Sequence, residues 1–339
     1  MEQQEPADPR LERQKVIKDI VENKLKAELL ELSPLLGGYY GYVYKVRLKK
    51  DGEERTIVIK LVSASKEPSF EMEPIDDRVY GGRWSNLKPS YDLLVGARMP
   101  VATLFGTGET IQNGLQYSAM ELIEGQPIKE AYLQETDAAV AEDLQHKIGE
   151  LMGRMHQITR PYQGWTEMQK PYPESWKLAF FESLQNRIDR AVQIDPTMKA
   201  LEAKIRGFIA ERERAWTDPK AYVFSHTDGI QAMTKRSEKG WDLAGIIDVE
   251  DNSFTDPSFV LAGYELGLKV EDRAIPTSFW EGYKAHTPID ERFEGLKELF
   301  QLYYLLVWLV VFHASNRGTA TEQAVMIQKL RSSIREIVD

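Results

Sequence analysis

The stretch from Val223 to Pro257 reads VFSHTDGIQAMTKRSEKGWDLAGIIDVEDNSFTDP. It places one acid, Asp228, just after an apolar run, Tyr222-Val223-Phe224, and a second, Asp248, at the end of another, Leu243 to Ile247. Between them, Lys235 to Gly240 is polar and closes on glycine, the composition of a hairpin turn. Such a hairpin sets the two apolar runs side by side and lets both acids project into one site. Two carboxylates held this way can share the work. One accepts a proton from a nucleophile, and the other holds a metal on a phosphate. That division is the chemistry of phosphoryl transfer.

His226-Thr227-Asp228, then Gly245-Ile246-Ile247-Asp248-Val249-Glu250-Asp251, then Asp256-Pro257, resemble the H-x-D, IID and DP signature of aminoglycoside phosphotransferases and choline-kinase-like enzymes. The resemblance implies an α+β, protein-kinase-like fold of two lobes, a small β-rich N-lobe and a larger helical C-lobe carrying the catalytic hairpin. It implies an O-phosphotransferase that moves a phosphoryl group from ATP or GTP, with Mg²⁺, to the hydroxyl of a small molecule. Asp228 would be the catalytic base, Asp248 a metal ligand, and His226 a support for the loop. Asp256-Pro257 would cap and open the following helix.

One residue departs from that pattern: Met233 stands where the family has a metal-binding Asn. A thioether is a poor ligand for a hard cation. Three accounts are open. Gln231 or Asn252 supplies the oxygen; the site works with one well-held metal; or the chain has become a catalytically weakened or silent kinase-like binding protein.

Upstream, Gly37-Gly38-Tyr39-Tyr40-Gly41 lies between two strand-like runs, and glycines there let a backbone approach phosphates. Gly37, Gly38 and Gly41 are therefore candidate nucleotide contacts, against the plainer reading of a turn. Lys60 ends the β-branched run Ile57-Val58-Ile59, a poor place for a charge unless it reaches a partner such as the nucleotide phosphates. The resemblance calls for an acid to hold that lysine, and Asp92 and Glu73 are the candidates. Glu121 to Ile123, just before Glu124-Gly125, resemble the hinge whose backbone holds the purine.

The rest of the chain sets bounds. Its 339 residues suffice for two cores. The 42% hydrophobic and 28% charged content is that of a globular protein. A net charge of −10 gives no basic footprint for nucleic acid and suits a cationic acceptor such as an antibiotic or amino alcohol. The acidic and aromatic residues Glu250, Asp251, Glu265, Trp280, Tyr283, Tyr303 and Tyr304 point the same way. With no cysteine, disulfides and thiol catalysis are excluded, and the five histidines have no ligand spacing. The polar N-terminus is not a signal peptide, and the apolar run Leu302 to Phe312 is too short to span a bilayer. The expectation is a cytoplasmic protein with no membrane partner.

Periodicity predicts a tail and helix over 1–29, with the helix from Leu11 to Leu29. A β-rich lobe follows over 30–123, with an Asp51-Gly52 hairpin turn, strands at Val101–Leu104 and Leu115–Leu122, and a Ser90-capped helix to Arg98. Residues 124–339 form the helical lobe.

Overall fold

The computed structural model describes residues 9–35, 42–63, 79, 84–110, 114–226, 229–314 and 319–339. The chain divides into two compact units, Met1–Ser69 with Pro100–Glu124, and Phe70–Met99 with Gly125–Asp339. Within 30–123, then, residues 70–99 cluster with the larger unit.

In the first unit α1 (Pro9–Asp19) continues through a π-helical turn at Ile20–Lys24. Val16, Ile17, Ile20, Val21 and Leu25 form one buried stripe, as their spacing requires. The helix stops short of Leu29, because Lys26 turns into the left-handed region (φ 55°) and the next apolar residues are recruited to a strand. That strand, β1 (Glu28–Leu35), pairs with β2 (Tyr42–Lys50), which pairs with β3 (Glu53–Ser63) across the Asp51-Gly52 turn. Both turn residues have positive φ (53° and 87°), the geometry that favours Asp-Gly. β4 (Leu104–Glu109) and β5 (Leu115–Glu121) complete an antiparallel sheet in the order β1-β2-β3-β5-β4. The helix stripe packs on Val46, Ile57, Ile59, Leu61, Tyr117 and Ala119 of the sheet. β4 begins where the sequence places its end. Its glycines are strand residues, and a Cβ at Gly108 would lie 3.2 Å from the Tyr117 ring.

The second unit begins with α2 (Leu87–Gly96), entered through a 3-10 turn at Trp84–Asn86. Ser90 is not its cap. Pro89 fits inside the first turn, where no N–H is needed, and Ser90 is fully buried. β6 (Gln126–Pro127), α3 (Ile128–Gln134) and α4 (Ala138–His156) follow, then β7 (Thr159–Arg160), β8 (Gly164–Trp165), α5 (Trp176–Ile194) and α6 (Glu202–Arg214). β9 (Tyr222–His226), β10 (Ala232–Ser237), β11 (Gly240–Ile246) and β12 (Asn252–Thr255) precede four helices. These are α7 (Pro257–Lys269), α8 (Thr277–Lys284), α9 (Phe293–Ala314) and α10 (Ala320–Val338).

One expectation needs correcting. The hairpin joins β10 to β11, with Ser237 opposite Gly240, and does not join the Tyr222 strand to the Leu243 strand. β9 leaves for a second sheet, β7-β9-β12-β8, while β10 pairs with β11 on one side and β6 on the other. The reason is burial. Every residue of β9 is buried, so it takes an interior place with strands on both sides. The amphipathic β10, with exposed Lys235 and Arg236, covers the surface.

Around α5, α7 and α9 the core is aromatic: the rings of Trp176, Trp216, Phe259, Phe300 and Tyr303 lie 5.2–6.1 Å from Phe180. α9 is 22 residues long and, by length and composition, apolar enough to cross a membrane, but 67% of its apolar window is buried inside the protein. α4 and α8 touch backbone to backbone. A Cβ at Gly149 would lie 2.0 Å from the Phe279 carbonyl oxygen, and one at Gly282 would lie 2.2 Å from that of His146.

Gly282→Ala must therefore push two helices apart, at about 1–3 kcal/mol as for other overpacked cores. Gly207→Ala, at an exposed position of α6 with no atom within 4 Å of the new methyl, should gain about 0.5–1 kcal/mol. Urea unfolding of the two variants checks the opposite signs.

Candidate active site

β9 is a run of Tyr, Val and Phe that ends on His226, a residue 2% exposed and opposite Asn252 of β12. His226 Nε2 lies 3.8 Å from Asp251 Oδ2. Thr227 and Asp228 lie outside the described residues. The chain resumes at Gly229, whose N–H donates to the His226 carbonyl at 3.1 Å with φ at 85°.

Gln231 and Asp248 are brought together at the open end of the β10–β11 hairpin. The Gln231 carbonyl accepts from Ile247 N–H at 3.0 Å, so its backbone runs beside the residue that precedes Asp248. Asp248 adopts the left-handed conformation (φ 52°, ψ 43°) and opens a 3-10 turn, Val249–Asp251. Asp and Asn adopt that region more readily than other side chains with a Cβ. The turn closes with Asp251 N–H on the Asp248 carbonyl at 3.1 Å and Asn252 N–H on that of Val249. Asn252 is fully buried, donates from Nδ2 to the Val249 carbonyl at 3.0 Å, and leaves Oδ1 without a donor among the described residues. Met233 pairs with Gly245 on one side and Pro127 on the other, next to a bulge at Thr234.

Two residues that hold this region were not legible in the sequence. Asn86, at the entry to α2, donates from Nδ2 to the carbonyls of Glu250 (3.0 Å) and Asn252 (2.5 Å). Arg292 binds both carboxylate oxygens of Asp256 at 3.0–3.1 Å, and also Asp290 and the Thr217 carbonyl. Asp256 is itself the cap of α7, accepting from Ser258 N–H at 2.9 Å, with Pro257 as the first helical residue.

The hairpin has its own anchor. Glu135 accepts from the N–H groups of Thr136 and Asp137, from Trp241 Nε1 at 2.8 Å and from Arg236. The backbone donation at Asp137 and the Trp241 and Arg236 contacts hold its carboxyl down to about 2.

In the first unit Lys60 lies mid-sheet, half-buried, between Val43 and Ser118 on the flanking strands. Glu121 ends β5, and its carboxylate accepts from Thr103 N–H and Oγ1 at 3.2 and 2.8 Å. Ile123 follows two residues on, outside the strand. Gly37, Gly38 and Gly41, like Glu73, lie outside the described residues. Asp92 is on the exposed face of α2, and Lys88 Nζ meets its two oxygens at 2.6 and 2.5 Å. Of the residues read as suiting a cation, Tyr283, Tyr303 and Tyr304 are core, at most 2% exposed, because α8 and α9 turn them inward. His156 is buried against the Tyr283 hydroxyl at 2.8 Å, and burial holds its imidazole down to about 3. Among the described residues no three His, Cys, Asp or Glu side chains gather as a metal site.

The fructosamine kinase family model matches residues 131–332, well over half of the chain and including the whole of the Val223–Pro257 stretch. The chain belongs to the fructosamine kinase family. It is a small-molecule O-phosphotransferase. No curated protein matches it. Solved structures share its protein-kinase-like, α+β fold at low identity. A thermostable mutant of the aminoglycoside phosphotransferase APH(4)-Ia in its apo form is 14% identical, with TM-score 0.64, covering 94% of this chain and 98% of that one. The amicoumacin kinase hAmiN, in complex with AMP-PNP, Ca²⁺ and Ami, is 13% identical, with TM-score 0.61 and coverage of 96% and 93%. The choline kinase LicA from Streptococcus pneumoniae is 15% identical, with TM-score 0.56 and coverage of 95% and 98%.

Two outcomes follow for this kinase. Glu135 has a lowered folded pKa, so its stabilisation is complete above the ordinary value near 4.5 and is lost as pH falls through about 2. The melting-temperature gap between wild type and Glu135→Gln should be constant above about pH 5 and close towards pH 2. Arg292→Met leaves Asp256, with no exposed surface, buried without its partner. The cost should be about 3–5 kcal/mol by chemical unfolding.

Proposed function

We propose that this protein transfers the γ-phosphoryl group of ATP to a hydroxyl of a small amine-bearing molecule, with fructosamine as the first acceptor to test. The observation that carries the reading is the left-handed Asp248, whose preceding residue bonds to the Gln231 backbone, inside the region the family model matches. In this reading the acceptor oxygen attacks the γ-phosphorus as the bond to the β-phosphate oxygen breaks and ADP leaves. Asp228 orients the hydroxyl and takes its proton. Lys60 offers its ammonium to the α- and β-phosphates, and Gly37, Gly38 and Gly41 offer backbone N–H groups. The purine is held by backbone groups between Glu121 and Ile123, so GTP is the alternative donor.

The donor set suits a divalent cation. Asp248 offers a hard carboxylate, and Gln231 and the unpartnered Asn252 Oδ1 are amide oxygens nearby in the chain's pairing. The lack of a three-acid cluster among the described residues is no obstacle. Mg²⁺ is usually held by one or two carboxylates with substrate phosphates and water. When bound, Mg²⁺ supplies neutralisation of the charge on the transferring phosphoryl group. An amine-bearing acceptor is cationic at neutral pH and meets a chain of net charge −10.

The test measures ADP release with fructosamine, choline and an amino alcohol as acceptors, and ATP and GTP as donors. Transfer to the sugar amine is expected with ATP. Asp228→Ala should lower it about 10²–10⁴-fold, the usual share of a general base, while nucleotide affinity is kept. Full turnover in Asp228→Ala, or transfer to choline alone, would overturn the assignment.

A further inference from the structure

Asn86 has no exposed surface, and both ends of its amide are engaged. Its two Nδ2 hydrogens face three acceptors: the Glu250 and Asn252 carbonyls already described and Ser90 Oγ at 3.0 Å. Its Oδ1 accepts from Glu167 N–H at 3.3 Å, and Ser90 Oγ in turn donates to Thr166 Oγ1 at 3.0 Å. One side chain thus ties the start of α2 and the 166–167 segment to the turn that follows Asp248.

Two carbonyls, two residues apart, converge on one nitrogen, and that convergence fixes the curvature of Val249–Asn252. The other end of the same turn is Asp248, in the left-handed conformation that aspartate adopts more readily than most residues. We propose that Asn86 is a positioning residue for Asp248, setting the direction of that carboxylate towards the divalent cation. The inference rests on the reading of Asp248 as the metal-holding carboxylate. Partners bonded directly to a metal ligand are worth about 10–100-fold in metal affinity, and Asn86 acts one step removed, through the turn. A residue that merely stabilised α2 would lower the melting temperature and leave the metal requirement alone.

The experiment uses the full-length protein and needs no turnover. Binding of AMP-PNP is followed by calorimetry across a Mg²⁺ series and in EDTA, with melting temperatures, for wild type, Asn86→Ala, Asn86→Asp, Ser90→Ala and Asp248→Ala. Asn86→Asp keeps the size and the acceptor for Glu167 N–H but presents oxygen to the two carbonyls, so it stands in if Asn86→Ala does not fold. Ser90→Ala breaks the adjacent hydrogen bonds without touching the turn. The expected result is a half-saturating Mg²⁺ concentration raised about tenfold or more in the Asn86 variants. Affinity in EDTA should be unchanged, and the Ser90→Ala requirement should match wild type. A Mg²⁺ requirement in the Asn86 variants equal to that of Ser90→Ala, while Asp248→Ala loses Mg²⁺ dependence, overturns the role of Asn86 alone. Mg²⁺ dependence intact in Asp248→Ala overturns the metal reading and this inference with it.

Discussion

A short turn between two strands cannot satisfy all of its own backbone, and the turn from Asp248 to Asn252 is the place where this constraint governs the molecule. Internal bonds close it at the Asp248 and Val249 carbonyls, and the carbonyls of Glu250 and Asn252 take donors from the Asn86 side chain. Buried backbone groups left unpaired are expensive. The helix that supplies Asn86, and the sheet that holds Asn252 opposite His226, are therefore as much a part of the site as its carboxylates. The left-handed aspartate opens a turn whose carbonyls at Glu250 and Asn252 are given donors.

How much of this was legible depended on the range of the interaction. The Asp51-Gly52 turn, the Asp256-Pro257 cap and the apolar stripe of α1 are local, and each stands where the sequence pattern puts it. The hairpin was half legible. Its turn is where the polar run puts it, but the apolar Tyr222 strand is not its first arm. A turn shows that two segments pair, not which of two candidate strands precedes it. Here the choice rests on the partners that flank β9, Thr159–Arg160 on one side and Asn252–Thr255 on the other, and no local pattern ties either to it. Asn86 was wholly illegible: it looks like any polar residue near a helix, and the carbonyls it serves are 164 and 166 positions away. The aromatic residues of α8 and α9 misled in the opposite sense, since composition cannot say whether Tyr303 faces a ligand or Phe180.

The second unit also shows two ways of fixing helices. α4 and α8 meet through glycines, so contact is made by backbone and little side-chain volume is used. α5, α7 and α9 meet through large rings arranged mostly edge to face, the arrangement that aromatic quadrupoles favour. The first leaves no tolerance for growth, the second little for loss. Of these helices, α4 and α7 pack against β9.

The apolar helix α9 carries a consequence for the life of the protein outside its folded state. Its side chains are quiet only while the other helices cover them. Once the chain opens, a segment that matches lipid better than water is presented to every neighbouring molecule, and self-association competes with refolding. The time this kinase survives on warming is then set by how fast it opens rather than by where its folding equilibrium lies.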